Sequence, residues 1–198
     1  MQDNIIICNH KCNAGCLHCI YSKDKYNRLL EKNSFVKIYE ITENLIILSG
    51  GEPFELDISE LKQYVAMCII TNKYFKIATG GHILIEKYLS ILNNNRFFAG
   101  LQIGTDVLSR LRNKNHTKHL TSWIKNIEIL HRKQIPYSIT ITLCQNLDLA
   151  NILELIKLAK PNYIMVNVLD KLQYKNTQHI TMIKDYFPQQ PIIHGYIY

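Results

Sequence analysis

The sequence predicts an α/β fold built around a parallel sheet, and two features of the chain point to it. Short apolar runs alternate with longer stretches in which apolar residues recur at helical spacing. This alternation occurs six times in the same order, a strand followed by a helix, which implies parallel strands with helices packed on their outer face. The 198 residues, 47% of them hydrophobic, are enough for one substantial core. We therefore expect a single domain over residues 1–198.

The elements follow one another along the chain without a linker-like segment. The predicted strands are residues 4–8, 45–49, 75–78, 97–103, 137–143 and 163–168. The predicted helices are residues 34–40, 58–68, 82–92, 121–132, 149–159 and 180–186. Ser34 has the chemistry of an N-cap for the first of these helices. In the second helix, Ile58, Leu61 and Val65 recur at the spacing of one helical face.

Three cysteines lie close together just after the first predicted strand, in the segment Cys12-Asn13-Ala14-Gly15-Cys16-Leu17-His18-Cys19. Thiolates are the usual ligands of iron–sulfur clusters, and three of them in one loop leave the fourth iron of a four-iron cluster open. Structural zinc is the alternative, but it normally takes four ligands from paired knuckles. Here the fourth ligand would have to come from the same few residues, namely Cys8, His10 or His18.

Disulfide pairing is not expected for these cysteines. We expect no secretory signal segment, because the run Ile5-Ile6-Ile7 is too short for a signal core or a membrane span. These features predict a cytoplasmic protein with reduced thiols and no membrane segment.

A second motif, Ser49-Gly50-Gly51-Glu52-Pro53, follows the second predicted strand. Two glycines at the end of a strand let the backbone approach a ligand closely. Taken alone, the segment is also typical of an ordinary strand-to-helix turn. Its position in the loop after a strand matters, because the ligand-facing groups of parallel barrels lie at the carboxyl ends of the strands.

Together, the cysteine spacing and the Gly-Gly-Glu-Pro segment resemble the signature of the radical S-adenosylmethionine (SAM) enzymes. The resemblance extends over most of the chain to the barrel of molybdopterin-biosynthesis and peptide-maturation members. It implies a partial (β/α)6 TIM-type barrel in which Cys12, Cys16 and Cys19 hold a 4Fe-4S cluster and SAM binds the open iron. Reduction would then cleave SAM to a 5'-deoxyadenosyl radical, which abstracts hydrogen from the substrate. The absence of cysteine after Val168 argues against a C-terminal auxiliary-cluster domain.

The resemblance also implies positions for SAM, while leaving the catalytic residues unknown. The segment that would hold the amino group of the SAM methionine is Gly50, Gly51, Glu52 and Pro53. Further contacts are expected from Thr79 after the third strand, Thr105 and Asp106 after the fourth, and Arg112 in the next loop. His18 stands where the family usually has an aromatic or histidine residue near the adenine. The family serine after the fourth strand is replaced by Gly104, which makes Thr105 the candidate hydroxyl.

The partners are less defined by the sequence than the cofactors. The net charge of +7 favours acidic partners, among them a flavodoxin or ferredoxin-type electron donor. No pattern of a nucleic-acid-binding module is present, so nucleic acid is not expected. We expect a small-molecule or peptide substrate; the alternatives are a glycyl-radical-enzyme activase or a carboxy-deazaguanine synthase, both favoured by small size. A non-enzymatic alternative is an iron–sulfur redox or oxygen-sensing module, which the intact motifs disfavour.

Overall fold

A computed structural model describes residues 4–16, 19, 34–93, 95–109, 113, 115–143, 147–169 and 173–197. Its centre is one sheet of seven parallel strands, which lie in the sheet in the same order as in the chain. The strands are β1 (Ile5–Asn9), β2 (Leu45–Gly50), β3 (Tyr74–Thr79), β4 (Phe98–Gly104), β5 (Tyr137–Leu143), β6 (Tyr163–Leu169) and β7 (Ile192–Ile197). All their carboxyl ends therefore lie along one edge, where the connecting loops can build a site.

Helices follow the strands as the alternating sequence pattern predicts. They are α1 (Lys37–Glu40), α2 (Ile58–Ile70), α3 (Leu89–Leu92), α4 (His116–Lys133), α5 (Leu149–Ala159) and α6 (Gln173–Tyr186). Short 3₁₀ helices cover Pro53–Glu55, Ile85–Tyr88 and Asp106–Leu108. The helices close the hydrophobic core against one face of the sheet, where buried strand residues such as Ile77, Leu101 and Ile139 lie.

The opposite face of the sheet is more polar. Strand register places Gln102 of β4 beside Ser138 of β5 and Thr142 of β5 beside Asn167 of β6. At the amino-terminal end of this face, the Lys76 ammonium donates a hydrogen bond of 2.6 Å to the Tyr163 hydroxyl. This bond joins β3 to β6 across two intervening strands. It lies at the end of the sheet opposite the carboxyl-end loops.

The parallel α/β prediction is confirmed, with one strand more than the six expected. β7 pairs with β6 along its whole length, from Ile164 beside Ile192 to Leu169 beside Ile197. The predicted helix at residues 180–186 is the second half of α6. The run after Pro191 is short and apolar, as a strand is, but only the folded sheet shows that it pairs with β6.

The predicted helix at residues 82–92 is wrong in its first half. Residues 81–84 are not helical, and a 3₁₀ helix begins at Ile85. The cause is Asn126 of α4, whose amide donates to the carbonyls of Gly81 and Ile83 and accepts from the Ile85 N–H. A buried side chain from a later helix therefore takes over the backbone groups that a first helical turn would have used.

Among the described residues, no helix combines the length and the apolar character that crossing a membrane requires.

Candidate functional site

The loop after β1 carries the predicted cluster cysteines and is joined by backbone hydrogen bonds to the loop after β2. The Gly51 N–H donates to the Asn9 carbonyl at 2.7 Å, and the Glu52 N–H donates to the Lys11 carbonyl at 2.8 Å. The Asn9 amide adds a bond of 2.9 Å to the Glu52 carbonyl. The pairing of β1 with β2 thus continues past the sheet edge, and it aligns the cysteine loop with the Gly-Gly-Glu-Pro segment.

This continuation explains why two glycines end β2. A Cβ atom on Gly50 would lie 2.1 Å from the Asn9 carbonyl oxygen, and a Cβ on Gly51 would lie 2.3 Å from the Lys11 carbonyl oxygen. Gly50 also has a φ of +125°, which L side chains rarely adopt. The sequence predicted a close approach of backbone to a ligand here. In the structure, the close approach is to the backbone of the cysteine loop itself.

The thiols of the three loop cysteines belong to one short segment at the sheet edge. Cys16 is 7% exposed, whereas Cys12 and Cys19 are half-buried against the core. Burial raises the pKa of the Cys12 thiol to about 12, opposed by a backbone hydrogen bond from Ala14. None of the five cysteines in the described ranges forms a disulfide. Three reduced thiols in one loop fit the ligand chemistry of an iron–sulfur cluster with an open iron.

Asn113, from the loop after β4, holds the cysteine loop from the other side. Its side-chain amide donates to the Ala14 carbonyl at 2.8 Å and to the Cys16 Sγ at 3.5 Å. The backbones of Cys16 and Asn113 also form an isolated antiparallel bridge. Asn113 is not among the predicted site residues, because only its position in a loop after a strand sets it apart from the other asparagines of the chain.

Glu52 is the centre of a buried polar network rather than a solvent-facing group. Its carboxylate, 0% exposed, accepts from the Thr79 hydroxyl at 2.8 Å, the Gly80 N–H at 2.9 Å and the Phe54 N–H at 3.1 Å. Burial raises the pKa of Glu52 to about 7, while these donors oppose the shift. Glu52 thereby ties the loop after β2 to the loop after β3.

His82 connects that network to the cysteine loop, and it too is absent from the predicted site residues. Its Nε2 lies 3.0 Å from the Asn13 Oδ1, and its Nδ1 lies 3.5 Å from the Glu52 carboxylate. Glu55 accepts from the Asn13 N–H at 2.6 Å. Burial, with His119 as a second cause, lowers the pKa of His82 to about 4, so the ring is neutral at pH 7. The useful signal would have been its place in a strand-end loop.

Within the described ranges, one group of side chains brings three possible metal-ligand atoms within 4.8 Å of one another: Cys12, Glu55 and His82. Only the thiol of this group belongs to the predicted cluster ligands. The imidazole and the carboxylate are hydrogen-bonded to Asn13, so they order the backbone between Cys12 and Cys16.

Three other predicted SAM contacts lie at or just after strand ends, and they differ in exposure and in hydrogen bonding. The Thr79 hydroxyl is bonded to Glu52 and also accepts from the Gly81 N–H. The fully buried Thr105 donates its hydroxyl to the Thr140 carbonyl at 3.2 Å. The half-buried Asp106 accepts from Thr142 at 3.3 Å. Of these three residues, Asp106 has the most accessible side chain.

Two predicted contact residues, His18 and Arg112, lie outside the described residues. The neighbouring part of the site contains a cavity of about 280 Å³ beside the cysteine loop. Its lining includes the polar side chains of Asn13, His82, Asn115 and Lys118.

Replacing Glu52 by alanine should destabilise the protein by about 3 kcal/mol. The change leaves the Thr79 hydroxyl and the Phe54 and Gly80 N–H groups buried without their acceptor, at about 1–3 kcal/mol for each group that finds no substitute. Glu43→Ala is the matched control, because its carboxylate is exposed, and it should change stability by less than about 0.5 kcal/mol. Denaturant unfolding of both apoproteins measures the difference; equal stabilities would show that the network contributes little.

Comparisons with known proteins agree with this architecture. The sequence matches the family model of the Radical SAM superfamily over residues 6–159. The fold is similar to the crystal structure of Streptococcus suis SuiB, with a TM-score of 0.71 and 13% identity over 98% of this chain and 49% of SuiB. SuiB bound to S-adenosylmethionine gives a TM-score of 0.71 at 12% identity, covering 98% of this chain and 50% of SuiB.

SuiB bound to the precursor peptide SuiA gives a TM-score of 0.67 at 13% identity, covering 98% of this chain and 48% of SuiB. The chain therefore spans about half the length of SuiB. No curated protein sequence matches it. At these identities the similarity to SuiB shows the fold, and it confirms the predicted partial barrel. Because the family model covers most of the chain, including the cysteine loop and the Gly-Gly-Glu-Pro segment, this protein belongs to the radical SAM superfamily and is an enzyme.

Proposed function

We propose that Cys12, Cys16 and Cys19 hold the 4Fe-4S cluster that membership of the superfamily implies. The observation that carries the proposal is the way the cysteine loop is held at the sheet edge. Backbone bonds to Gly51 and Glu52 hold it on one side, and the Asn113 amide holds it on the other. Such support orients ligand side chains before the metal arrives.

The Gly-Gly-Glu-Pro segment is proposed to receive the methionine end of SAM. When bound, the cluster and SAM supply the one-electron chemistry that yields a 5'-deoxyadenosyl radical. A cationic amino group only donates, so it would be met by carbonyl oxygens of Gly50 to Pro53. The Glu52 carbonyl already accepts from the Asn9 amide and the Glu55 N–H, and the Pro53 carbonyl accepts from the Leu56 N–H. The Glu52 carboxylate would act indirectly, by fixing this segment against Thr79.

The remaining SAM contacts are proposed from the strand-end loops. Asp106 has an accessible carboxylate that suits sugar hydroxyls, and Thr105 would fix the turn that presents it. Thr79 would act through Glu52. Arg112 is proposed to bind the SAM carboxylate, which a guanidinium group can contact in a bidentate manner. His18 is proposed to lie near the adenine of SAM.

We propose a peptide substrate. We also propose that residues 1–198 form a single catalytic domain, because the described strands belong to one sheet. SuiB, which shares the fold, has been crystallised with a precursor peptide. Two half-buried, uncharged hydrogen-bonding side chains on the polar face of the sheet, Gln102 and Asn167, suit the amides of a peptide. A glycyl-radical-enzyme activase and a carboxy-deazaguanine synthase are the competing assignments.

A flavodoxin or ferredoxin-type protein is the proposed electron donor. Such donors are acidic, and the chain has a net charge of +7, with Lys118 exposed beside the cysteine loop. A cytoplasmic location belongs to the same proposal, because free thiols require a reducing compartment.

Anaerobic reconstitution tests the cofactor assignment. The protein should bind about four irons per chain and, once reduced, release deoxyadenosine slowly from SAM without substrate. Iron analysis and absorption spectra measure the cluster, and chromatography of the products measures deoxyadenosine release. Stoichiometric zinc in place of iron, with no SAM cleavage, would overturn the proposal.

The substrate class needs a separate experiment. A precursor peptide encoded beside the gene should raise deoxyadenosine formation above the uncoupled rate and should itself change in mass. Stimulation by a glycyl-radical protein, or by a deazapurine precursor, would transfer the assignment to the corresponding alternative without affecting the cofactor result.

A further inference from the structure

The Asn113 side chain, from the loop after β4, donates a hydrogen bond directly to a cysteine sulfur of the cysteine loop. Its Nδ2 lies 3.5 Å from the Cys16 Sγ and 2.8 Å from the Ala14 carbonyl oxygen. The side chain is 2% exposed, so water does not compete for these contacts. Two N–H bonds of one amide are thus directed at the loop, one of them at a sulfur.

The orientation of this amide is determined by the bonds around it. The Asn113 Oδ1 accepts from the Asn115 N–H at 2.8 Å, and the Asn113 N–H donates to the Ser109 carbonyl at 3.0 Å. A flipped amide would place its oxygen against the Ala14 carbonyl and the Cys16 sulfur, and its NH2 group against the Asn115 N–H. Both contacts are repulsive, so the NH2 group faces the sulfur.

We infer that Asn113 is a positioning residue that tunes the reduction potential of the cluster by donating a hydrogen bond to Cys16. The inference rests on the proposed assignment of Cys16 as a cluster ligand. Hydrogen bonds to the cysteine sulfurs are one of the ways in which proteins set the potentials of iron–sulfur clusters.

The direction of the effect follows from charge. Accepting one electron from an external donor makes the cluster and its sulfurs more negative. An N–H donor then binds the sulfur more strongly than in the oxidised state, because hydrogen bonds to charged acceptors strengthen with charge. Asn113 therefore stabilises the reduced state and raises the potential. It also couples the loop after β4, which carries Asp106, to the ease of cluster reduction.

The test compares two variants, Asn113→Leu and Asn113→Asp, with wild-type protein after anaerobic reconstitution. Leucine removes the donor without adding charge, and aspartate replaces the donor by a negative group of the same shape. At a fixed solution potential, the ratio of reduced to oxidised cluster should fall about threefold to tenfold in Asn113→Leu, and further in Asn113→Asp. A tenfold change corresponds to 59 mV for a one-electron couple.

Asn115→Asp is the matched control, because it makes the same charge change in the same loop on an exposed side chain. Its potential should move much less than that of Asn113→Asp, since water screens the added charge. Equal shifts in the two aspartate variants, or an unchanged potential in Asn113→Leu, would overturn the inference.

Deoxyadenosine formation separates tuning from a loss of structure. In Asn113→Leu it should be slow with a weak reductant and should recover with a stronger one, at an unchanged iron content. A defect that a stronger reductant does not relieve would contradict a tuning role. If neither variant assembles a cluster, electron–nuclear double resonance of reduced wild-type protein with 15N-labelled asparagine decides: absence of a coupled amide near the cluster overturns the inference. Failure of wild-type protein to bind iron would instead refute the proposed function.

Discussion

Replacing Cys16 by alanine should leave the protein folded but unable to hold a cluster or cleave SAM. Cys16 is the most buried of the three loop cysteines, and its sulfur is the one that receives the Asn113 amide. Without it, two thiols of the loop remain, which cannot supply three irons of a four-iron cluster. After reconstitution, iron content and the cluster absorption should fall to background, and no deoxyadenosine should form.

Cys68→Ala is the matched control for this experiment. Cys68 likewise forms no disulfide, and it is fully buried in α2, away from the sheet edge. Its removal should cost about 1–2 kcal/mol of stability through a small cavity and should leave the iron content unchanged. A Cys16→Ala protein that still binds about four irons and cleaves SAM would show that the cluster is held elsewhere.

Replacing Gly51 by alanine should prevent cluster assembly, although it changes none of the cysteines proposed as cluster ligands. The new Cβ atom would lie 2.3 Å from the Lys11 carbonyl oxygen and 2.7 Å from the His10 carbonyl oxygen. Both neighbours are backbone atoms, so the cysteine loop itself has to move away from β2. We expect a loss of about 2–4 kcal/mol in stability, together with low iron content. Denaturant unfolding of the apoprotein and iron analysis after reconstitution measure the two effects.

Gly104→Ala is the control, because it makes the same change at the end of another strand of the same sheet. There a Cβ atom would meet its nearest neighbour, the Thr79 carbonyl oxygen, at 3.6 Å, which is an ordinary contact. The variant should reconstitute with wild-type iron content. If Gly51→Ala also binds iron normally, the close approach of the two loops is not required for the cluster. Weakened SAM binding with an intact cluster would return the glycine to the ligand-contact role that the sequence suggested.

The buried ionisable groups beside the loop should give the apoprotein opposing pH dependences. The pKa of Glu52 is raised to about 7 by burial, so the folded state holds this proton more tightly and stability falls as pH rises from about 4.5 to 7. The pKa of His82 is lowered to about 4 by burial, so stability rises between about pH 4 and 6.5. Glu52→Gln should expose the second trend, and unfolding curves at several pH values would show a steeper rise than in wild-type protein. An unchanged profile would contradict the raised pKa.

Local patterns in the sequence were enough to predict most of the fold. The β5 and α5 segments were predicted at their observed bounds, because apolar alternation and helical spacing are local properties of a chain that packs one face inward. The cysteine spacing and the Gly-Gly-Glu-Pro segment likewise indicated the family directly. Ligand chemistry in these motifs depends on residues that are neighbours in sequence, so no knowledge of the folded chain was needed.

The support of the site was decided by tertiary structure. Asn113 reaches Cys16, and His82 reaches Asn13, across sequence separations of 97 and 69 residues, and nothing in either local sequence marks these contacts. The same holds for Asn126, which prevents a helix from starting before Ile85. A single polar side chain has no periodicity from which its partner can be read. Its role depends on which strand ends the parallel sheet brings together, and only the packed sheet determines that.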